Sequence, residues 1–391
     1  MNKILERIGE LGIVPVVKIE KAEDALSLGR ALLDGDLPIA EITFRTSAAE
    51  ESIKILNKNL PNLLVGAGTV LTVEQVKSAV SAGAKFIVSP GFNPKVVDYC
   101  MENDIPVTPG INNPTQIEMA LERGIEVVKF FPAEASGGLS LLKSMSAPYT
   151  DIKFIPTGGI NKNNLSSYLS NNNVLACGGS WMVKADLISS GNFSEITRLT
   201  REAISTMLGF EFAHLGINEE SKEKALDSAN LLLRLFNFPL KEGTNSIFTG
   251  STFEIIKTKY LGKHGHIAIT TNDIHRAIAY LKIKGISVLP KTAKEKAFNS
   301  ANLLSRLFNF PLKEGTNSIF AGSTFEIIKA KYLGKHGHIA ITTNDIHRAI
   351  AYLKIKDISV LPKTAKEKDG KLKAIYIAQE VSGFAIHLLQ K

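Results

Sequence analysis

Lys129 lies inside the apolar run Val127-Val128-Lys129-Phe130-Phe131-Pro132, where an unpaired ammonium is costly and a lysine without a task is uncommon. An amine deprived of water favours its neutral, nucleophilic form, which can attack a ketone to give a Schiff base. The competing reading is a stem laid along a strand with its head reaching solvent. Glu41, in Glu41-Ile42-Thr43-Phe44-Arg45, could move protons for such an amine if it reaches it directly or through one water. Its alternative is an ion pair with Arg45 on the same strand. Arg45 can grip a carboxylate through two parallel hydrogen bonds, and Thr69 can add a hydroxyl. Phe131 shares strand parity with Lys129 and would exclude water beside it, or simply fill a core. Gly158-Gly159 and Gly178-Gly179-Ser180 offer backbone N–H groups and a hydroxyl to an anion.

These groups act together only if the fold brings them to one edge. The first 205 or so residues carry eight short apolar, β-branched runs: Ile13–Ile19, Ile39–Phe44, Leu64–Thr69, Phe86–Gly91, Pro106–Ile111, Val127–Ala133, Phe154–Gly159 and Val174–Trp181. Between them Ala22–Asp34, Val73–Ala82 and Pro114–Arg123 have apolar residues at helical spacing, and Gly83 and Gly124 stand where C-terminal caps belong. Strands alternating with helices predict a parallel α/β fold, and eight units predict a (β/α)8 barrel. Most runs end in polar or glycine-rich residues, as in Gly66-Ala67-Gly68-Thr69, Ser89-Pro90-Gly91 and Thr157-Gly158-Gly159. That edge is the expected active-site rim.

At 391 residues and 44% hydrophobic content the chain should form two or three soluble domains. No apolar stretch approaches a membrane span, and Met1–Glu10 is charged every few residues, so a cytoplasmic location is expected. Cys100 and Cys177 cannot build a disulfide framework and lack metal-ligand spacing; reduced, buried thiols are expected. The net charge is +8, but it is unevenly placed. Residues 1–209 carry 19 Lys+Arg against 22 Asp+Glu, and residues 210–391 carry 27 against 16. A duplicated surface accounts for most of the excess, so no nucleic-acid partner is expected.

The duplication is direct. Ser228–Lys296 recurs as Ser300–Lys368 at an offset of 72 residues, with four substitutions in 69 positions: Leu233/Ser305, Thr249/Ala321, Thr258/Ala330 and Gly285/Asp357. The tandem copies extend over 222–293 and 294–365. Each reads as a helix (Ala229–Leu235), strands at Ser246–Phe248, Phe253–Lys257 and Gly265–Thr271, a helix (Asp273–Lys284) and a strand (Ile286–Leu289). Strand Glu211–Ile217 precedes only the first copy, while Ala374–Gln379 and Phe384–Leu389 follow only the second. One complete set of strands needs only one copy, so a mixed or swapped arrangement is expected.

Over residues 1–207 the motifs Glu41-Ile42-Thr43-Phe44-Arg45-Thr46, Gly66-Ala67-Gly68-Thr69, Ser89-Pro90-Gly91, Val128-Lys129-Phe130-Phe131-Pro132-Ala133 and Pro156-Thr157-Gly158-Gly159 resemble the 2-keto-3-deoxy-6-phosphogluconate / 4-hydroxy-2-oxoglutarate aldolases. The resemblance implies a metal-independent class I aldolase, usually a homotrimer, acting on a phosphorylated keto acid. It implies Lys129 as Schiff-base lysine, Glu41 as proton carrier, Arg45, Thr69, Pro90 and Phe131 at the substrate, and Gly158, Gly159, Gly179 and Ser180 at the phosphate. Asp36, where the family often has glycine, and Ala40, where a bulkier residue is common, depart from the pattern. Residues 210–391 are similar to the glyoxalase-like, vicinal-oxygen-chelate superfamily of βαβββ units. That similarity implies a divalent metal on His214, Glu254 (copied as Glu326), His266 (copied as His338) and His387. Two alternatives compete with the aldolase: a phosphate-binding barrel isomerase or synthase with Lys129 as an ion-pair partner, and a metabolite or metal sensor with an inactive barrel.

Overall fold

The computed structural model describes residues 2–258, 262–286, 312–314, 318–321, 324–328 and 333–391. They form two compact units, Met1–Gly209 with Thr271–Val288, and Phe210–Thr270 with Leu289–Lys391. Among the described residues no helix is long and apolar enough to cross a membrane.

In the first unit the β-branched runs become parallel strands, Ile13–Val17, Ile39–Thr43, Leu64–Gly68, Ile87–Val88, a fifth in two pieces (Val107–Thr108 and Gly110–Ile111), Val127–Phe130, Lys153–Pro156 and Cys177–Gly179. The fifth is interrupted at Pro109, which has no N–H to donate; its carbonyl accepts from the Lys129 N–H at 2.9 Å. Pairing runs from the first strand outward (Val16↔Glu41, Glu41↔Gly66, Ile87↔Val107) and continues through Gly110↔Lys129 and Lys129↔Ile155. Bridges Phe154↔Val174 and Thr157↔Gly178, with the pairing Ile13↔Cys177, close the ring. The first unit is therefore a TIM-barrel-like α/β fold.

The helices start where side chains can cap them. Thr72, Asn93 and Asn113 accept from N–H groups of the first turn, and Pro94 and Pro114 occupy first-turn positions where no amide donor is needed. Gly83 and Gly124 have φ of +103° and +70°, the left-handed conformation that closes a helix. The expected helix Ala22–Asp34 resolves into a 3₁₀ turn, Ala22–Asp24, and a helix, Ala25–Asp34. A further helix, Lys3–Leu11, precedes the first strand and buries Leu5, Ile8 and Leu11. Its Ile8 faces the same interior space as Glu41 and Lys129, giving the barrel a floor. Both thiols are free and buried; burial pushes Cys100 up to about 11 and Cys177 higher still.

The sequence assigned the helix Asp273–Lys284 to the second module, but Thr271–Val288 groups with the barrel. The helix Ile274–Ile283 explains why. Arg276 donates to the carbonyls of Gly9 (3.4 Å) and Leu175 (3.1 Å) and pairs with Asp273 at 2.9 Å. Lys284 pairs with Asp36 at 2.5 Å. Asp36 has φ +67°, a conformation glycine adopts freely and aspartate tolerates. Its carboxylate thus gives a reason for the residue standing in that turn.

The second unit contains two strand–helix–three-strand successions. In the first, Glu211–Asn218 is followed by the helix Lys222–Phe236, capped by Ser221 and longer than expected, then Leu240–Glu242, Ser246–Thr249 and Phe253–Ile256. In the second, His338–Thr343 leads to the helix Ile346–Ile355 and to Lys366–Lys368, Lys371–Val381 and Phe384–Gln390. Ile217, Leu232, Ile255, Leu353, Ile377 and Ile386 share one apolar core. The second-copy strands Leu312–Glu314, Ser318–Ala321 and Phe325–Ile328 repeat the first-copy meander as a separate sheet. The expected strand Ile286–Leu289, beyond Ile286, and the second copy of the helix Ala229–Leu235 lie outside the described residues.

The two copies of one strand divide a task. The first copy, Gly265–Thr270, pairs antiparallel with Glu211–Asn218, the His264 carbonyl accepting from the Asn218 N–H at 3.0 Å. The second copy, His338–Thr343, pairs parallel with Phe384–Gln390, the Thr343 carbonyl accepting from Lys391 at 3.0 Å. His264 and the first-copy equivalent of Thr343, Thr271, lie seven positions apart, so they have opposite parity and point to opposite edges of a strand. A single strand could bond both partners. Excising residues 294–365 should therefore leave a folded second unit, with amide protection retained in Glu211–Asn218 and Phe384–Gln390 by hydrogen exchange. Lost protection at Phe384–Gln390 would contradict this.

Candidate active site and a second ligand cluster

Glu41 and Lys129 rise from the second and sixth strands, and alternation turns both into the barrel. The Lys129 Nζ donates to Glu41 Oε1 at 3.3 Å, with side chains only 7% and 4% exposed. Ile8, Val14, Phe86, Val88 and Ile155 line the space around them, together with the hydroxyls of Thr108 and Thr157. Two opposite charges in such surroundings depend on each other, because removing one strands the other at a cost of about 3–5 kcal/mol. Gly68 makes room for the carboxylate: a Cβ there would fall 2.1 Å from Glu41 Oε1. The Phe131 ring centroid lies 5.4 Å from Nζ, on the side that strand parity predicts.

Arg45 does not pair with Glu41. It stands exposed at the rim, its Nε donating to Thr43 Oγ1 at 3.1 Å, while that hydroxyl donates to the Val17 carbonyl at 2.6 Å. Thr43 escaped the sequence reading, although it shares a strand face with Glu41. Thr69 follows the third strand half-buried, with φ +55°. Pro90 is half-buried at the same edge, its carbonyl packed so closely on Gly110 that a Cβ there would lie 2.1 Å away.

Gly158 and Gly159 follow the seventh strand with φ of +98° and +83°. The bridge Thr157↔Gly178 brings them beside the eighth, where Gly179 is buried under the Trp181 ring and Ser180 is exposed. Consecutive glycines in this conformation leave bare amides able to approach an anion closely. Two residues absent from the sequence reading sit behind this loop. The hydroxyl of the fully buried Tyr168 donates to Glu134 Oε1. No local spacing signals a pair 34 residues apart.

In the second unit His214, Glu254 and His266 converge. Glu254 Oε2 lies 3.0 Å from His214 Nε2 and 3.5 Å from His266 Nε2, and the two imidazole nitrogens are 3.1 Å apart. Pairings Gly216↔Glu254 and Gly216↔His266 place these residues on strands flanking Glu211–Asn218. Gly216 clears the space, since a Cβ would fall 2.3 Å from the His266 ring. Burial, opposed by the Glu254 carboxylate, holds His266 below the ordinary imidazole range, which favours the ligating, neutral form. Ser246 donates to the other Glu254 oxygen at 2.7 Å. His387 is not brought to this cluster. It pairs across its sheet with Ala340 and Tyr376, its ring 4.9 Å from that of His338 and 4.7 Å from Tyr376. The expected four-residue set therefore divides, because the strand beside His387 is the second copy rather than the first. The side chain of Glu326 lies outside the described residues.

Residues 4–199 match the family described as KDPG and KHG aldolase. The 2-dehydro-3-deoxy-phosphogluconate aldolase of Haemophilus influenzae is 52% identical over 203 residues, covering 52% of this chain and 96% of that protein. The KHG/KDPG aldolase of Escherichia coli is 39% identical over 192 residues, covering 49% of this chain and 90% of that protein. Among solved structures, the KDPG aldolase of Legionella pneumophila, with pyruvate captured as a covalent carbinolamine intermediate, is 38% identical. It aligns with a TM-score of 0.50 over 51% of this chain and 97% of that one. With a buried lysine–glutamate pair inside the barrel, this chain belongs to the KDPG and KHG aldolase family.

Proposed function

We infer that the barrel is a class I aldehyde-lyase that cleaves 2-keto-3-deoxy-6-phosphogluconate to pyruvate and glyceraldehyde 3-phosphate, and also takes 4-hydroxy-2-oxoglutarate. The observation that carries this is the buried Lys129–Glu41 contact. Lys129 Nζ attacks the C2 ketone, and loss of water from the carbinolamine leaves an iminium. Glu41 shuttles the protons of that dehydration and then removes the C4 hydroxyl proton. The C3–C4 bond breaks, its electrons pass into the iminium as an enamine, and the aldehyde leaves. Protonation at C3 and hydrolysis then free pyruvate and restore the amine. Arg45 and Thr69 suit the pyruvyl carboxylate, Pro90 and Phe131 the carbon chain, and Gly158, Gly159, Gly179 and Ser180 the phosphate. The assembly expected with this reading is a homotrimer.

A second reading concerns the other unit, where the cluster of His214, Glu254 and His266 favours a divalent transition metal. Two imidazoles and a carboxylate are a borderline-soft donor set that leaves a coordination position open. When bound, such a metal would polarise an oxygen ligand; the aldol chemistry requires none.

Incubation with pyruvate and borohydride should add a pyruvyl group to Lys129, mapped by peptide mass; an unmodified Lys129 peptide would refute the Schiff base. Glu41→Gln should lower kcat by about 10²–10⁴-fold. Gly68→Ala should also lower kcat by crowding that carboxylate, while circular dichroism reports an intact fold. In equilibrium dialysis with Co²⁺ the chain should take up about one ion. His214→Ala or His266→Ala should abolish uptake and His387→Ala should not, with aldolase turnover unchanged after chelation.

A further inference from the structure

We propose that Glu134 and Tyr168 form a positioning pair that holds the Gly158–Gly159 loop open toward the phosphoryl end of the substrate; this rests on the aldolase reading above. Every carbonyl from Thr157 to Gly159 is tied back. The Ala133 N–H donates to Thr157 O at 2.8 Å, the Glu134 N–H to Gly158 O at 3.0 Å, and the Asn161 and Asn164 amides to Gly159 O at 3.1 Å each. With the carbonyls held on that side, the Gly159 N–H has no backbone acceptor among the described residues, while the Gly158 N–H lies beside Gly178 through the Thr157↔Gly178 bridge. The Glu134 side chain lies directly against this loop, where a Cβ on Gly159 would meet its Cβ and Cγ at 2.6 Å.

Glu134 makes no ion pair among the described residues, so what fixes its carboxylate is the Tyr168 hydroxyl. Burial, and then this carboxylate, push the Tyr168 phenol far above its ordinary range, so it keeps its proton and acts only as donor. A fully buried phenol is a rigid anchor, and the short turn Glu134–Ser136 inherits that rigidity. The pair touches no reacting atom. Its role is to pre-pay the ordering of two glycine amides, so that binding of the phosphoryl group need not do so.

The test uses the full chain and two substrates, 2-keto-3-deoxy-6-phosphogluconate and unphosphorylated 4-hydroxy-2-oxoglutarate. Glu134→Ala and Tyr168→Phe should each raise KM for the phosphorylated substrate by about fivefold or more with kcat nearly unchanged. Kinetics with the unphosphorylated acid should not move. Glu134→Gln keeps an oxygen to accept the phenol proton and should restore most of the affinity, and the double variant should be no worse than either single one. Equal losses on both substrates, or no change on either, would overturn the pairing. Failure of the unaltered chain to turn over either substrate would instead overturn the aldolase reading.

Discussion

An amine and a carboxylate buried together in an apolar barrel constrain everything around them. Neither charge tolerates those surroundings alone, so the contact of Lys129 with Glu41 demands that the second and sixth strands, on opposite arcs of the ring, keep their register. The interrupted fifth strand contributes by holding the Lys129 amide through Pro109. Gly68 contributes by what it lacks. Ile8 lines the same interior space as the pair, and the rim stays polar above.

Much of the barrel was readable in advance because parallel strands buried on both faces leave continuous β-branched runs, and caps leave Asn, Thr, Pro and Gly at fixed offsets. Lys129 was readable because charge inside such a run needs a reason. Parity put Phe131 on its side. What periodicity does not encode is which faces meet: the helix Lys3–Leu11 is amphipathic, but nothing local says it lies beneath Glu41. Tyr168 reads as an ordinary aromatic until the chain folds it against Glu134. Arg45 stands as the alternative partner for Glu41, and the fold assigns that place to Lys129.

In the second unit the signal was weaker, since no short spacing links His214, Glu254 and His266. Three of the four expected ligands converge because the strands carrying them are neighbours through Gly216. His387 lies apart because the duplicated segment offers two chemically equivalent strands, and its own neighbour is the other one. Repetition of a sequence therefore does not repeat an environment; the flanking, unduplicated strands decide which copy does what.

The ten residues Ile274–Ile283 recur identically as Ile346–Ile355, yet they are buried on different sides. Ile274 is 59% exposed where Ile346 is 1%, and Arg276 is buried where the Arg348 side chain is 90% exposed. One helical text thus carries two independent adhesive stripes, with each occurrence displaying the stripe the other conceals. Selection on either stripe acts through only one occurrence, which leaves the twin free to drift at those same positions.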